Sequence, residues 1–312
     1  MKYKLCMILV AGLLMACSSD DDITTPKEEK PVVNTELRPI YVEVSERPMV
    51  IDGQEAKERG METRGTETTT GTLSSFSMYG VYNGIEKSYS ASKNGGGTWS
   101  VTPTGWHGSA GNDDMVSFYA HTTGTFQVNG GNPYVNFTVQ ENASTQLDLL
   151  VATTTASYKG QSGDDKVGTV PLTFDHACAA VAFNVQMSNA LSAALGSKTL
   201  TVSSIIMKNV NNTGKYYFGS GTWQEVSGSA YYTMTNSNIT VSTDLTPLPA
   251  NYLFMIPQTR AANGTSGTYL EVKYIVSGKS EQIATIPLAL NWQAGYRYTY
   301  NIVLGTTLIN YM

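Results

Sequence analysis

Histidine and cysteine each occur only three times in 312 residues, and charged side chains make up just 14% of the chain. His107, His121 and His176 are the only histidines, and no two stand at metal-ligand spacing, so the local pattern of a zinc or iron centre is missing. No Gly-x-Ser-x-Gly elbow, phosphate loop or His-Glu-x-x-His helix occurs. The run "NGGG" at 94–97 lacks the strand-before, helix-after setting of a nucleotide loop and reads as a hairpin tip. Asp113-Asp114 and Asp164-Asp165 lie in glycine-flanked stretches and read as solvated turns rather than calcium ligands. With no catalytic set, metal or cofactor motif, an enzyme is not expected. The formal net charge of −5 and the absence of any basic cluster argue against nucleic acid as a partner. Of the cysteines, Cys6 lies in the leading apolar run, Cys17 ends it, and Cys178 sits in the apolar run 177–182 as a small core residue.

The only long apolar run opens the chain. Lys2 and Lys4 precede the stretch 5–16, too short for the ~20 residues that span a bilayer but suited to a secretion signal. Leu14-Met15-Ala16-Cys17 resembles the lipobox of bacterial lipoproteins, with a small residue directly before an obligatory Cys. That resemblance implies a signal peptide over 1–16, cleavage before Cys17 and acylation of its thiol. Two acyl chains anchor stably where one does not. Asp20, Asp21 and Asp22 follow almost at once; an acidic run there looks like the export signal that carries lipoproteins to the outer face of the outer membrane in gut- and oral-type anaerobic Gram-negative bacteria. Residues 17–35, rich in Ser, Asp, Thr, Pro, Lys and Glu, read as a disordered tether reaching about 60 Å when extended.

Beyond the tether, helix signals are almost absent. Only 188–197, "SNALSAALGS", offers a Ser N-cap, Ala/Leu content and a closing Gly. Elsewhere short runs of Val, Ile, Thr, Tyr and Phe alternate with Gly, Asn, Ser and Asp, the pattern of many short strands. The clearest span 73–82, 115–121, 134–139, 147–152, 170–174 and 180–187, and then 200–207, 252–256, 269–276, 283–288 and 296–304. No helical crossovers intervene, so the fold class is all-β, antiparallel sandwiches rather than a parallel α/β sheet. The length suggests two domains, and "NGGGTWSV" and "GSGTWQEV" echo one another with Gly-Thr-Trp ahead of a strand.

An ordered set of motifs resembles the fimbrillin family, the subunits of surface pili. "METRGTETTTGTLSSFSMYGVY" is followed by "LDLLVA", "VPLTFDHACAAVAFNV", "YLFMIPQ" and "WQAGYRYTYNIVL". The third carries the family's Leu-x-Phe-x-His pattern at the join of its domains, and the last its Trp-x-x-Gly-x-x-Tyr-x-Tyr pattern. The resemblance implies two tandem antiparallel transthyretin-like β-sandwich domains, here 36–172 and 173–312. It also implies assembly by donor-strand exchange, in which an amino-terminal strand is clipped off after an arginine and a strand of another pilus subunit fills the groove.

The candidate displaced strand is "IYVEVSE", with Ile40, Val42 and Val44 facing inward and Tyr41, Glu43 and Ser45 outward. The clip belongs in 54–70, at Arg64 in "TRG" or, second, Arg59 in "ERG"; Arg47 precedes Pro48, which trypsin-like proteases refuse. After Leu304 only "GTTLINYM" follows, which favours a tip-type subunit that accepts a strand over a stalk subunit that donates one. Expected partners are other pilus subunits, the outer membrane through the lipid, and a host or bacterial surface glycan or protein. Expected locations are the cell surface, for the anchored precursor, and the fimbrium. A reading from a different class is a monomeric surface lipoprotein that binds glycans for nutrient capture, with 19 tyrosines and Trp99, Trp106, Trp223 and Trp292 as stacking surfaces.

Overall fold

Alternation of apolar and polar residues builds the first sheet. In the computed structural model, which describes residues 38–51, 68–160, 167–235, 237–249 and 252–309, the chain opens with strands Tyr41–Glu46 (β1), Val50–Ile51 (β2), Ser75–Tyr82 (β3), Ile85–Lys93 (β4) and Trp99–Thr102 (β5). Val116–His121 (β6), Thr125–Asn129 (β7), Asn132–Thr138 (β8), Leu150–Ala156 (β9) and Thr169–His176 (β10) follow. Seven of these make one sheet in the order β1-β10-β9-β6-β3-β4-β5. Phe76 and Met78 of β3, Phe118 of β6, and Leu172 and Phe174 of β10 point to one face and form a first core with Trp106. Asn83 and Gly84, with φ of 50° and 76°, turn β3 into β4; this two-residue turn needs positive φ at both positions, which Asn-Gly supplies at little strain.

The second half continues with Ala179–Met187 (β11), the helix Asn189–Leu195 (α1), Leu200–Val210 (β12), Thr213–Tyr217 (β13), Thr222–Ser227 (β14), Ala230–Thr235 (β15), Ile239–Thr240 (β16) and Thr246–Pro247 (β17). Leu253–Met255 (β18), Thr259–Arg260 (β19), Tyr269–Val276 (β20), Gln282–Pro287 (β21), Leu290–Asn291 (β22) and Tyr296–Leu304 (β23) complete it. Ser188 caps α1, its side chain accepting from Leu191 N, and Gly196 closes it with φ 59°. Sheets β17-β11-β23-β2 and β15-β12-β20-β21 enclose a second core with Phe183, Ile205, Val272 and Trp292 inside.

The fold is all-β, as expected, and most ladders are antiparallel. Three are parallel: β1 with β10, β11 with β23, and β2 with β23. A parallel neighbour cannot arrive by a tight hairpin, and here the partners come from distant parts of the chain. The four-stranded sheet β14-β13-β8-β7 joins strands from both halves, and Phe126, Val135 and Phe137 of β7 and β8 pack in the second core. Residue 172 lies within β10; along this strand and the next, Leu172 and Phe174 belong to the first core and Ala177 onward to the second, which also takes Leu149 and Val151 from the chain before β10. Among the described residues no helix is long and apolar enough to cross a membrane.

Candidate functional site

Residues 38–51 run along the edge of the first sheet and on to the second core. β1 lies parallel to β10 with six consecutive pairs, from Tyr41 opposite Thr169 to Glu46 opposite Phe174. Its side chains alternate: Ile40 is buried, Val42 and Val44 are half-buried against the first core, and Tyr41, Glu43 and Ser45 are exposed. The far edge of the same sheet meets this strand from the other side. Ile40 N donates to Thr104 O (2.9 Å), Trp106 N donates to Arg38 O (2.7 Å), and Pro39 bridges Gly105 just beyond β5. Residues 38–46 therefore close the seam between the two edges of the seven-stranded sheet.

Both ends of the strand are fixed by polar contacts. Arg38 donates to Asn112 Oδ1 (3.0 Å) and His107 O (3.2 Å) and lies over the Tyr158 ring. Arg47 N donates to Phe174 O (2.9 Å), and the Arg47 guanidinium pairs with Asp175 at 2.6 Å. That pair is exposed, so it orients more than it stabilises. Ser45 Oγ and Thr173 Oγ1 are 3.0 Å apart across the ladder.

Pro48 then turns the chain, and Met49 enters the second core with 7% of its surface exposed. Val50 N donates to Gly295 O (2.7 Å), and β2 pairs with the start of β23, Val50 opposite Tyr296. At ~1.5–3 kcal/mol for a fully buried large apolar side chain and about half that for a half-buried one, Ile40, Val42, Val44 and Met49 contribute on the order of 5–9 kcal/mol.

Behind the end of β1 lies a buried polar group. His176 Nδ1 donates to Asp148 Oδ2 at 2.6 Å, with both side chains essentially out of solvent. Burial pushes the Glu46 carboxyl above the ordinary carboxylate range; His176 and the Thr70 N–H oppose this, and the Asp148 charge adds to it. Burial likewise pushes the neighbouring Cys178 thiol far up, which leaves it unreactive. Among the described residues no three His, Cys, Asp or Glu side chains converge in a form that would hold a metal.

The profile of the fimbrillin-like family matches residues 59–311. The chain belongs to the fimbrillin-like family. No curated protein matches it. Solved structures with a similar fold include a fimbrial protein from Bacteroides vulgatus, at 17% identity, TM-score 0.55, and coverage of 87% of this chain and 96% of that one. A candidate cell adhesion protein from Bacteroides ovatus gives 12% identity and TM-score 0.51 over 88% and 95% of the two chains. One from Parabacteroides distasonis gives 8% and 0.54 over 88% and 90%. At these identities the structures speak for the fold. Family membership makes the chain a pilus or adhesive subunit of the cell surface that assembles with other subunits, a structural role.

The fimbrillin-like motifs have physical roles here. In Leu-x-Phe-x-His, Leu172 and Phe174 fill the first core beside β1, and His176 carries the buried pair with Asp148. In Trp-x-x-Gly-x-x-Tyr-x-Tyr, Trp292 is buried and its Nε1 donates to the Tyr300 hydroxyl (3.0 Å). Gly295 in that motif, at φ 75°, offers the carbonyl on which β2 docks. Cys17, Asp20, Asp21, Asp22, Arg59 and Arg64 lie outside the described residues. Trp106 and Trp292 are core residues, and Trp99 and Trp223 pack half-buried against the cores, so no tryptophan stands free for stacking. Sequence reasoning missed Met49, Gly168, and the pair Arg47–Asp175. The apolar trio Met49-Val50-Ile51 amid polar residues was the available signal for the first of these.

Proposed function

We propose that this subunit is made as a lipoprotein precursor acylated at Cys17, routed to the outer face of the outer membrane by Asp20, Asp21 and Asp22, and clipped at Arg64 or Arg59. The cut detaches residues 38–51 from the body, and a strand from another pilus subunit takes their place, giving two tandem sandwich domains joined to a neighbour. The observation that carries this reading is the seam. The strand that fills it is held by side-chain burial, one ladder and contacts to 104–106, and the chain that ties it to β3 contains both arginines. Losing it would leave an apolar slot and an open sheet edge that demand a replacement.

A tip-type role, accepting a strand rather than donating one, accords with the seating of Leu308 and Ile309. Leu308 packs against the second core, Ile309 is 2% exposed within it, and both N–H groups donate to Gly305 O. These side chains are engaged at home rather than free to serve a neighbour.

Glycan capture retains one favourable observation, a groove of about 870 Å³ over β12 and β15 where Tyr231, Tyr252, Lys208 and Glu141 converge. Tyr231 is 52% exposed there. Intact mass and amino-terminal sequencing of protein from cell surfaces and from sheared filaments separate the two readings. A filament species beginning at Gly65 or Gly60 is the expected result. A single species beginning at acylated Cys17 and absent from filaments would overturn processing and leave an uncut anchor or the glycan-binding lipoprotein.

A further inference from the structure

Strand exchange at a single sheet edge would need only the residues that fill the first core. The resident segment does more. After Arg47, whose N–H still donates to Phe174 O, residues 48–49 leave the ladder; Pro48 carries no N–H, so stepping across costs no hydrogen bond there. Met49 then seats in a different core from Ile40, Val42 and Val44, and the chain resumes pairing at Val50 opposite Tyr296. Gly295 O, which accepts from Val50 N, belongs to the second core's own strand connection, where Gly295 N donates to Cys178 O. Withdrawing residues 38–51 would therefore open an apolar slot along β10, a hole the size of a methionine side chain in the second core, and an unpaired start to β23.

Resting on the strand-exchange reading above, we propose that the acceptor site of this subunit is bipartite. Its occupant is a strand of a second protein chain that runs parallel to β10 and engages both cores in a fixed register. The register follows from the resident residues. Three apolar side chains stand at alternate positions, as Ile40, Val42 and Val44 do; a cation follows three residues after the third, where Arg47 meets Asp175; and a long unbranched apolar side chain follows two residues later, where Met49 sits. A strand that matches only the first part fills the seam but leaves the second core with a cavity and β23 with an unpaired edge, the two defects that cost a fold most at such a site.

The test uses the full chain, cut once within 52–67, with the resident segment displaced by an excess of labelled synthetic peptide. Three peptides are compared: residues 38–51, residues 38–47, and residues 38–51 carrying Met49→Asp. Because every change lies in the peptide, the folding of the subunit is the same in all three. The expected result is that the 38–51 peptide stays bound at least about tenfold longer than either of the others. Equal lifetimes for all three would overturn the bipartite site while leaving exchange at the first core standing. Failure of every peptide to enter the cut protein would overturn the strand-exchange reading, and the bipartite site with it.

Discussion

Gly168 stands where Pro39 crosses the start of β10. Its φ is 73°, and the Pro39 carbonyl occupies the space a Cβ would need, while Gly168 O accepts from Tyr41 N at 2.8 Å. Alanine at this position meets both a left-handed backbone, worth about 1–2 kcal/mol, and a contact with main chain that cannot swing aside. Gly168→Ala should therefore loosen residues 38–41, raising the rate at which a cut subunit sheds its first strand while leaving the second core intact. Strand release measured in the cut variant checks this; a rate equal to that of the parent would show that Gly168 does not position the strand.

Glu46 gives the same strand a pH dependence. Its carboxyl is raised by burial when β1 is docked and returns to the ordinary range, ~4.3, when the strand leaves. The docked state thus binds the proton more tightly than the released state. Docking strengthens as pH falls from above the raised pKa toward the ordinary value, and is weakest at higher pH, where the buried carboxylate is ionised. The groups around it are His176 on β10, Asp148 ahead of β9, the Thr70 N–H, and the neighbouring Arg47–Asp175 pair. Glu46→Gln removes the titrating group, so release of the cut strand should become flatter with pH and slower near neutrality. A parent whose release rate does not change from about pH 4 to about pH 7 would contradict this assignment.

Among the elements, those with a one-sided pattern were legible before the fold was known. β10, with Val170, Leu172 and Phe174 inward, and β20, with Leu270, Val272, Tyr274 and Val276 inward, announce themselves by strict alternation. The helix α1 was legible from Ser188 and Gly196, one supplying the cap and the other the positive φ that ends it. β4, β7 and β13 were not, β5 and β14 showed only as the strand after each Gly-Thr-Trp, and β15 was missed although Ala230, Tyr232 and Met234 alternate inward. β4 buries only Tyr89 and Ala91, β5 buries only Val101, and β14 buries no residue fully, so turn and surface chemistry outweighs any apolar period. These strands exist because neighbours pair with them, which a local pattern does not record. The displaced-strand candidate falls between the two cases. Ile40, Val42 and Val44 alternate as inward residues do, but neither the parallel pairing with β10 nor the meeting with 104–106 has a signature near residue 40. Met49 is the clearest omission, since the apolar trio Met49-Val50-Ile51 marks a buried stretch without showing which of its residues turns inward, and Met49 acquires its role only from the second core.

At the scale of the whole molecule, one segment of 38–51 closes the first sheet and plugs the second core, while the chain that follows it holds Arg59 and Arg64. That arrangement suits a subunit stored in a self-complemented form and completed by a neighbour after the segment is cut free. On the proposed exchange, the pilus-forming surface coincides with the fimbrillin-like motifs: Leu172, Phe174 and His176 along the slot, Gly295 at its far end.

The most direct test is to lock the strand in place. Ser45 and Thr173 are paired across the ladder with their hydroxyls 3.0 Å apart, on the exposed face, so Ser45→Cys with Thr173→Cys joins β1 to β10 without touching either core. The account predicts that the locked subunit is still cut after Arg64 or Arg59, retains its first strand, and fails to enter filaments until a reductant is added. Entry of the locked, oxidised subunit into filaments at the level of the parent would contradict it.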